Sequence, residues 1–330
     1  MNTTKIKQDV EFLKGIDPRI EIHSHGNTKY CNPNMMELNP AIGCQFQCQY
    51  CNAYTQEQEN CFSKVRVFVD FPKYLEIFLK ENKKRLDKIF FYFSPKIDAF
   101  QDCLLESGIT KNILELLLEH QARYFIVTKG KIPNKEIQQL LIESKNINQL
   151  IISCTMPNEE IREILEPNAA RIKERLDLAE FCVKNGIPVS AIFSPILPID
   201  ELNYVKNYIK IYLEMGITHF RVDFTEISRS SLDKLCSLLP KYEKSLKEVY
   251  LDKNATVTHW NVPYKEIEIE RYWPSLEYMK KQFNELKNYA KSVNSKATLS
   301  VCNSLCIENK LHRFNDEAIN AGFNCIGARF

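Results

Sequence analysis

The chain has 330 residues, of which 44% are hydrophobic and 26% charged, and its formal net charge is +2 at pH 7. This composition excludes a disordered chain, and the length fits about two domains or one large α/β barrel. The balanced charge argues against duplex nucleic acid as a partner. The first ten residues lack an apolar signal segment, and no run of about 18 apolar residues occurs. We therefore expect a cytoplasmic protein with no membrane partner.

Apolar runs of strand length alternate with amphipathic segments along the first two thirds of the chain. Continuous apolar runs such as Phe90–Phe93 are typical of parallel strands that are buried on both faces. The alternation predicts an α/β fold, a partial (β/α)6 TIM-type barrel, with helices such as Ile109–His120 and Ala169–Asn185 between the strands. The six strands are predicted at Met36–Asn39, Lys88–Ser94, Arg123–Thr128, Gln149–Thr155, Pro188–Ser194 and Thr218–Phe224.

The last third of the chain does not continue this alternation of strands and helices. Helical segments at Ser231–Tyr250 and Ser275–Ser295 precede a late strand at Ala297–Cys302. The segment Thr258–Tyr264 is aromatic and contains a proline, which predicts a loop. We therefore predict an N-terminal extension over residues 1–35, a partial barrel over 36–226 and a C-terminal α/β extension over 227–330.

The chain contains 12 cysteines, and a reducing cytosol would keep them as thiols, so some are expected to bind metal. Cys44, Cys48 and Cys51 follow the first predicted strand with the spacing C-x3-C-x2-C. Three thiolates can hold three irons of a [4Fe–4S] cluster and leave the fourth iron open to a small molecule. Zinc or free thiols are the alternatives, but structural zinc takes four protein ligands, and no second C-x2-C pair lies nearby in the sequence.

The triplet resembles the signature of the radical S-adenosylmethionine (radical SAM) superfamily, and Tyr50 supplies an aromatic residue before the last cysteine. The resemblance implies that the open iron chelates S-adenosylmethionine. Reduction of the cluster would cleave this cofactor into methionine and a 5′-deoxyadenosyl radical that abstracts hydrogen from a substrate. The resemblance also implies a reductant protein such as a flavodoxin or ferredoxin.

From Asn39 to about Pro198 the chain is similar to the spore photoproduct lyase-like branch of this superfamily. By this resemblance, S-adenosylmethionine binding is assigned to Asp98, Lys129, Ser153, Ser194, Glu166 and Arg175. For the last two residues, an ion pair at the start of a helix is the alternative. The matching pieces are Asn39-Pro40-x3-Cys44, Asp98, Thr128-Lys129-Gly130, Ser153, Glu166-Pro167-x7-Arg175, Gly186-x-Pro188 and Pro195.

Two departures bear on the substrate. The enzyme for which the branch is named has a tyrosine where this chain has Asn52, and a hydrogen-donating cysteine where this chain has Pro95. Both departures argue against repair of DNA photoproducts, which is kept as an alternative function. The resemblance instead favours a lyase-type reaction on a small nucleobase-like molecule, and the leading candidate is an activity of the queuine lyase type.

Charged residues gather at the end of the sixth predicted strand. Alternation places Arg221 and Asp223 on one face, where inward-pointing charges need a ligand or each other. Asp223 and Glu226 are the predicted catalytic residues, because a carboxylate there can accept two N–H groups from a guanine-like edge. An Arg221–Asp223 pair within the barrel wall is the alternative.

Three further cysteines, Cys302, Cys306 and Cys325, gather near the C-terminus and could hold an auxiliary iron–sulfur cluster, either with an open iron or with a fourth ligand such as Cys61 or Cys103. That arrangement would fit a radical SAM enzyme that modifies a peptide or another metabolite. The alternative is that they are free thiols in the core, as we expect for Cys31, Cys154, Cys182 and Cys236. A non-catalytic metal-binding protein is the remaining class of function.

Overall fold

The structure is a computed structural model that describes residues 8–18, 22–24, 34–51, 63–224, 226–262, 267–301, 315–324 and 327–329. The strands within these ranges are β1 (Asp9–Leu13), β2 (Ile22–Ser24), β3 (Met35–Leu38), β4 (Ala41–Ile42), β5 (Lys64–Phe68), β6 (Phe90–Phe93), β7 (Arg123–Thr128), β8 (Asn148–Ser153), β9 (Val189–Phe193), β10 (His219–Val222), β11 (Ile227–Ser228), β12 (Thr256–Val262), β13 (Ile267–Trp273) and β14 (Thr298–Val301).

Helices follow most of the parallel strands, as the alternating sequence predicts. Three short 3₁₀ helices occupy Lys83–Lys88, Asp200–Leu202 and Pro240–Tyr242. The α-helices are α1 (Phe71–Glu81), α2 (Asp102–Glu106), α3 (Ile109–Glu119), α4 (Lys135–Glu143), α5 (Glu159–Leu165), α6 (Ile172–Lys184), α7 (Asn203–Glu214), α8 (Arg229–Leu238), α9 (Glu243–Tyr250), α10 (Leu276–Val293) and α11 (Asp316–Asn320).

The main sheet contains seven parallel strands in the order β14-β10-β9-β8-β7-β6-β3, and antiparallel β2 extends it beyond β3. Every residue of β6 and of β8 is buried, as expected for parallel strands covered on both faces. The sheet confirms the predicted α/β class and agrees with a partial TIM-type barrel. The six predicted strands lie within two residues of the observed bounds, and the late strand is the seventh.

The chain divides into two compact units, of which the first comprises residues 1–47, 60–152 and 168–190. This unit contains β3, β6 and β7 with their helices, and its core includes the stacked rings of Tyr92 and Phe125, 4.4 Å between centroids. A second, three-stranded sheet has the order β1-β5-β4. In it, β1 pairs in parallel with β5, so part of the predicted N-terminal extension is a strand of this sheet.

The second unit comprises residues 48–59, 153–167 and 191–330. Its strand β14 pairs in parallel with β10, and a separate antiparallel sheet has the order β11-β13-β12. The predicted loop at Thr258–Tyr264 is wrong, because β12 continues to Val262 and pairs with β13. The predicted helical segment Ser231–Tyr250 is two α-helices interrupted by a 3₁₀ turn that begins at Pro240, since proline breaks the α-helical hydrogen-bond pattern.

The boundaries proposed at residues 35 and 226 stay predictions. Within the described ranges, no helix has both the length and the apolar character needed to cross a membrane.

Candidate functional site

The three cysteines of the triplet lie on a turn-rich loop after β4. Gly43 opens the loop with a φ of 90°, a left-handed conformation that glycine adopts without a steric penalty. The backbone then turns twice: the Gln47 N–H donates to the carbonyl of Cys44 at 3.4 Å, and the Cys51 N–H donates to that of Cys48 at 3.1 Å. All three cysteines are partly exposed and unbridged. The loop therefore presents three thiols to their surroundings instead of packing them into a core.

The donor chemistry of this loop fits an iron–sulfur cluster. Among the described residues, no three His, Cys, Asp or Glu side chains converge as a single metal ion would require. A [4Fe–4S] cube does not need such convergence, because each of its cysteine ligands binds a different iron. Three partly exposed thiols on a curled loop match that need better than they match a tetrahedral zinc site.

Side-chain amides hold the first part of the loop. The Gln8 Nε2 donates to the carbonyl of Cys44 at 3.0 Å, and the Asn168 Nδ2 donates to the carbonyl of Gln45 at 3.0 Å. The backbone N–H of Gln45 donates to Gln101 Oε1 at 2.9 Å, and Gln45 Oε1 accepts the N–H of Cys103 at 2.7 Å. Sequence reasoning missed these residues, because amides at distant positions form no motif. The run Gln45, Gln47 and Gln49 around the cysteines was the available signal.

The last part of the loop is held by the segment that follows α5. The hydroxyl of Tyr50 donates to the carboxylate of Glu166, and the N–H of Gln49 donates to the carbonyl of Leu165 at 2.8 Å. Arg162, on α5, donates from Nη1 to the carbonyl of Glu166 at 3.0 Å. Glu166 is fully buried. Its observed contact with Tyr50 therefore supports a role in positioning the cysteine loop.

Asp98 joins the ends of two neighbouring strands, β6 and β7. Its Oδ1 accepts the N–H of Phe100 at 2.9 Å and its Oδ2 accepts the N–H of Lys129 at 2.8 Å, while the Thr128 hydroxyl lies within hydrogen-bonding distance of both oxygens. Burial raises the pKa of Asp98, and these hydrogen bonds oppose that rise. A carboxylate has about four acceptor positions, and these three donors use most of them. The geometry therefore supports a positioning role for Asp98.

Lys129, which follows β7, is held through its backbone on both sides. Its N–H donates to Asp98, and its carbonyl accepts the N–H of Ala170 at 3.0 Å. Arg175, fully buried on α6, donates from Nε to the carbonyl of Ala170 at 2.9 Å. The structure thus connects three of the predicted cofactor residues, Asp98, Lys129 and Arg175, through backbone groups of one segment.

The predicted serines and Asp223 lie where strands of the main sheet end. Ser153 is the last residue of β8 and is buried, and Ser194 directly follows β9. The Ser194 hydroxyl donates to Asp223 Oδ2 at 3.1 Å, and Arg221 donates from Nη2 to the same oxygen at 3.0 Å. The Arg221–Asp223 pair considered from the sequence is therefore present. No described residue donates a hydrogen bond to Asp223 Oδ1.

Glu226 forms an ion pair with a residue that the sequence did not reveal. Arg271, on β13, donates from Nη1 to Glu226 Oε1 at 2.7 Å, and the Arg271 side chain is only 1% exposed. Burial raises the pKa of Glu226, Arg271 lowers it, and the nearby charge of Asp223 adds to the rise. The two predicted catalytic carboxylates therefore interact electrostatically, but each has its own arginine.

The remaining cysteines divide into two groups. Cys302, Cys306 and Cys325 of the predicted auxiliary cluster, and Cys61 and Cys31, lie outside the described residues. Cys103, Cys154, Cys182 and Cys236 are buried and unbridged. Burial raises the pKa of the Cys103 and Cys182 thiols to about 12, which keeps them protonated at neutral pH. Cys103 as a fourth ligand of an auxiliary cluster stays a prediction.

Comparison with known protein families identifies the family of the region that contains this loop. The family model described as the radical SAM superfamily matches residues 38–211, which is more than half of the chain and includes the triplet. The chain belongs to the radical SAM superfamily. It is therefore a radical SAM enzyme, and membership implies a [4Fe–4S] cluster and S-adenosylmethionine as cofactors. Enzymes of this family act on small molecules or peptides and require a reductant.

The chain is also similar to an uncharacterized protein and to solved structures. The chain is 27% identical to the uncharacterized protein MJ0683 of Methanocaldococcus jannaschii over 196 residues, which are 58% of this chain and 73% of that protein. Spore photoproduct lyase complexed with dinucleoside spore photoproduct has a TM-score of 0.62 at 15% identity, covering 89% of this chain and 82% of that one. A mutant of that lyase with bound AdoMet and the same photoproduct gives 0.60 at 17% identity, covering 88% and 80%. At these identities the likeness shows a shared fold.

Proposed function

We propose that this radical SAM enzyme holds its [4Fe–4S] cluster with Cys44, Cys48 and Cys51 and carries out a lyase-type reaction on a small nucleobase-like substrate. The leading candidate is an activity of the queuine lyase type. The observation that carries the proposal is the loop of three partly exposed thiols inside the matched region. When bound, the cluster and S-adenosylmethionine supply a 5′-deoxyadenosyl radical, while the protein positions the reactants and excludes water.

The chain's own residues divide into binding and positioning groups. Lys129, Ser153 and Ser194 lie at strand ends with side chains that suit a methionine carboxylate and ribose hydroxyls. In this proposal they bind S-adenosylmethionine. Asp98, Glu166 and Arg175 are assigned to hold the backbone around the cofactor, because their observed partners are groups of the chain itself.

Asp223 is the residue proposed to bind the substrate. Its Oδ2 is engaged by Ser194 and Arg221, and no described residue donates to its Oδ1. A base with adjacent N–H groups, such as a guanine-like edge, can donate to that remaining acceptor. Glu226 is proposed to act with Asp223 at the end of this strand, where the charge of Asp223 raises the pKa of Glu226 and Arg271 lowers it.

Cofactor cleavage is the first test of this proposal. Anaerobically reconstituted protein, reduced with dithionite or flavodoxin, is expected to convert S-adenosylmethionine into 5′-deoxyadenosine, which liquid chromatography with mass spectrometry measures. Cys48→Ala should reduce the product to background. Cys236→Ala is the matched control, because Cys236 is a buried cysteine of α8 with no assigned role. Full activity of the Cys48→Ala enzyme would overturn the cluster assignment.

The substrate class is tested separately. Adding queuine should increase 5′-deoxyadenosine formation and yield a cleaved base, and Asp223→Asn should raise the KM for queuine more than that for S-adenosylmethionine. Stimulation by a dinucleoside photoproduct instead would favour the DNA alternative. Stimulation by a peptide would favour the peptide-modifying alternative. In either case the cofactor assignment would survive and the substrate assignment would fail.

A further inference from the structure

One side-chain amide beside the cysteine loop, that of Gln101, has a hydrogen-bond partner at its oxygen but none at its nitrogen among the described residues. Gln101 is fully buried, immediately before α2, and its Oε1 accepts the backbone N–H of Gln45, the residue that follows Cys44. That contact identifies which terminal atom is the oxygen, because a backbone N–H can only donate. The amide nitrogen of Gln101 is therefore the other terminal atom, and the whole group is held beside the first cysteine of the triplet.

The Nε2 of Gln101 is buried and has no hydrogen-bond partner among the residues that the structure describes. A buried amide nitrogen without an acceptor is costly, and such groups in folded proteins call for an explanation such as a missing ligand. The neighbouring amides differ in this respect. The Asn168 Nδ2, for example, donates to the carbonyl of Gln45 and to Gln47 Oε1.

We infer that Gln101 Nε2 donates a hydrogen bond to a sulfur atom of the cluster bound at Cys44, either the thiolate or a neighbouring sulfide. Hydrogen bonds to the sulfurs are among the factors that set the potential of an iron–sulfur cluster. A donor stabilises the more negative, reduced cluster and so raises its reduction potential. Gln101 is thus a positioning and tuning residue. The inference rests on the proposed function, because it requires a cluster at Cys44.

The test removes the amide without adding a charge. Gln101→Met is expected to lower the reduction potential of the cluster, so that at fixed potential the ratio of reduced to oxidised cluster falls about tenfold, which is about 59 mV for one electron. A redox titration followed by electron paramagnetic resonance measures this shift. Asn168→Ala is the matched control, because it removes an amide that also holds the loop but whose nitrogen already has acceptors. The control should keep the wild-type potential.

A spectroscopic measurement separates hydrogen bonding from simple support of the loop. With side-chain ¹⁵N-labelled glutamine, pulsed electron paramagnetic resonance of the reduced cluster should detect a ¹⁵N hyperfine coupling. This coupling should disappear in the Gln101→Met variant. If Gln101→Met does not assemble a cluster, Gln101→Glu serves instead, since its carboxylate still accepts the Gln45 N–H but has no N–H to donate. The coupling should be absent there too.

The outcomes are distinguishable. Wild-type protein that assembles no cluster would defeat the proposed function itself. An assembled cluster whose ¹⁵N coupling survives in the Gln101 variant, or whose potential shifts equally in Gln101→Met and Asn168→Ala, would defeat the inference and leave the proposed function intact.

Discussion

His219 is a histidine whose surroundings keep it neutral. It lies in β10 with its Nδ1 2.9 Å from the Thr298 hydroxyl and its Nε2 3.2 Å from the Ser300 hydroxyl, and its ring stacks on Phe323 at 3.9 Å between centroids. Burial lowers its pKa to about 3. The sequence contained the six histidines but no pattern that distinguished this one from the others.

This buried histidine makes stability depend on pH. Because its folded pKa is lowered from 6.5 to about 3, the unfolded chain binds the proton more readily, and stability is lost as pH falls below 6.5. The loss from this group approaches about 1.4 kcal/mol per pH unit. We expect His219→Gln to be less stable than wild type at pH 7 but to lose less stability between pH 7 and 5. Urea unfolding at both pH values measures this, and an equal loss in both proteins would contradict it.

The Tyr50 hydroxyl provides a second prediction at this scale. Tyr50→Phe removes the hydrogen bond to the buried carboxylate of Glu166 while the backbone bond of Gln49 to Leu165 remains. Taking the donor away from a buried acceptor costs about 1–3 kcal/mol, so the loop should be less well ordered and should bind iron less tightly. We expect a lower iron content after reconstitution at limiting iron, measured by a colorimetric assay.

Tyr242→Phe is the matched control for Tyr50→Phe. It also removes a hydroxyl that lies within hydrogen-bonding distance of a carboxylate, that of Asp200, but this contact is exposed. Its iron content should equal that of wild type. Equal iron content in Tyr50→Phe and Tyr242→Phe would show that the Tyr50 contact does not support the cluster.

At the scale of secondary structure, the ion pair of Glu226, the residue before β11, with Arg271 on β13 adds to the pairing of these two strands. Arg271→Met would leave the largely buried Glu226 without its cation, and breaking a buried pair from one side costs about 3–5 kcal/mol. Arg229→Met, which removes an exposed pair with Asp233 on α8, should cost less than about 0.5 kcal/mol. Urea unfolding compares the two variants, and similar costs would show that the buried pair contributes no more than the exposed one.

The parallel strands could be predicted because their apolar runs are continuous, as at Phe90–Phe93 and Tyr124–Val127. The antiparallel hairpin was harder to recognise. In Thr256–Val262 the apolar residues Val257, Trp260 and Val262 do not alternate strictly with polar ones, and the proline that follows and the aromatic residues suggested a loop. The pairing of β1 with β5 joins residues 55 positions apart, such as Asp9 and Lys64, and no local pattern predicts a contact at that range.

At the scale of the whole molecule, the metal content separates the function classes. We expect about four irons per chain after reconstitution, the content of one [4Fe–4S] cluster, and the same value in Cys302→Ala/Cys306→Ala. Inductively coupled plasma mass spectrometry measures iron, and a sulfide assay measures the inorganic sulfur. About eight irons in wild type, falling to about four in the double variant, would instead support the auxiliary cluster.

The superfamily could be identified from three cysteines because their spacing is local and fixed by the chemistry of one cluster. The supporting groups could not, since Gln8, Gln101 and Asn168 come together only after folding. The same holds for Arg271, which reaches Glu226 from a strand 45 residues away in the chain.

The pairing of β4 with β5 has a kinetic consequence for cluster assembly. Ile42 lies opposite Arg66 in antiparallel register, so the two ends of the connection that carries the cysteines are held next to each other. The entropy of closing that long loop is therefore lost when the protein folds, before any iron binds. Iron should then bind to a loop whose two ends are already held together. Cluster assembly should therefore depend only weakly on denaturants at concentrations that leave the fold intact, and it should fail abruptly when β4 and β5 separate.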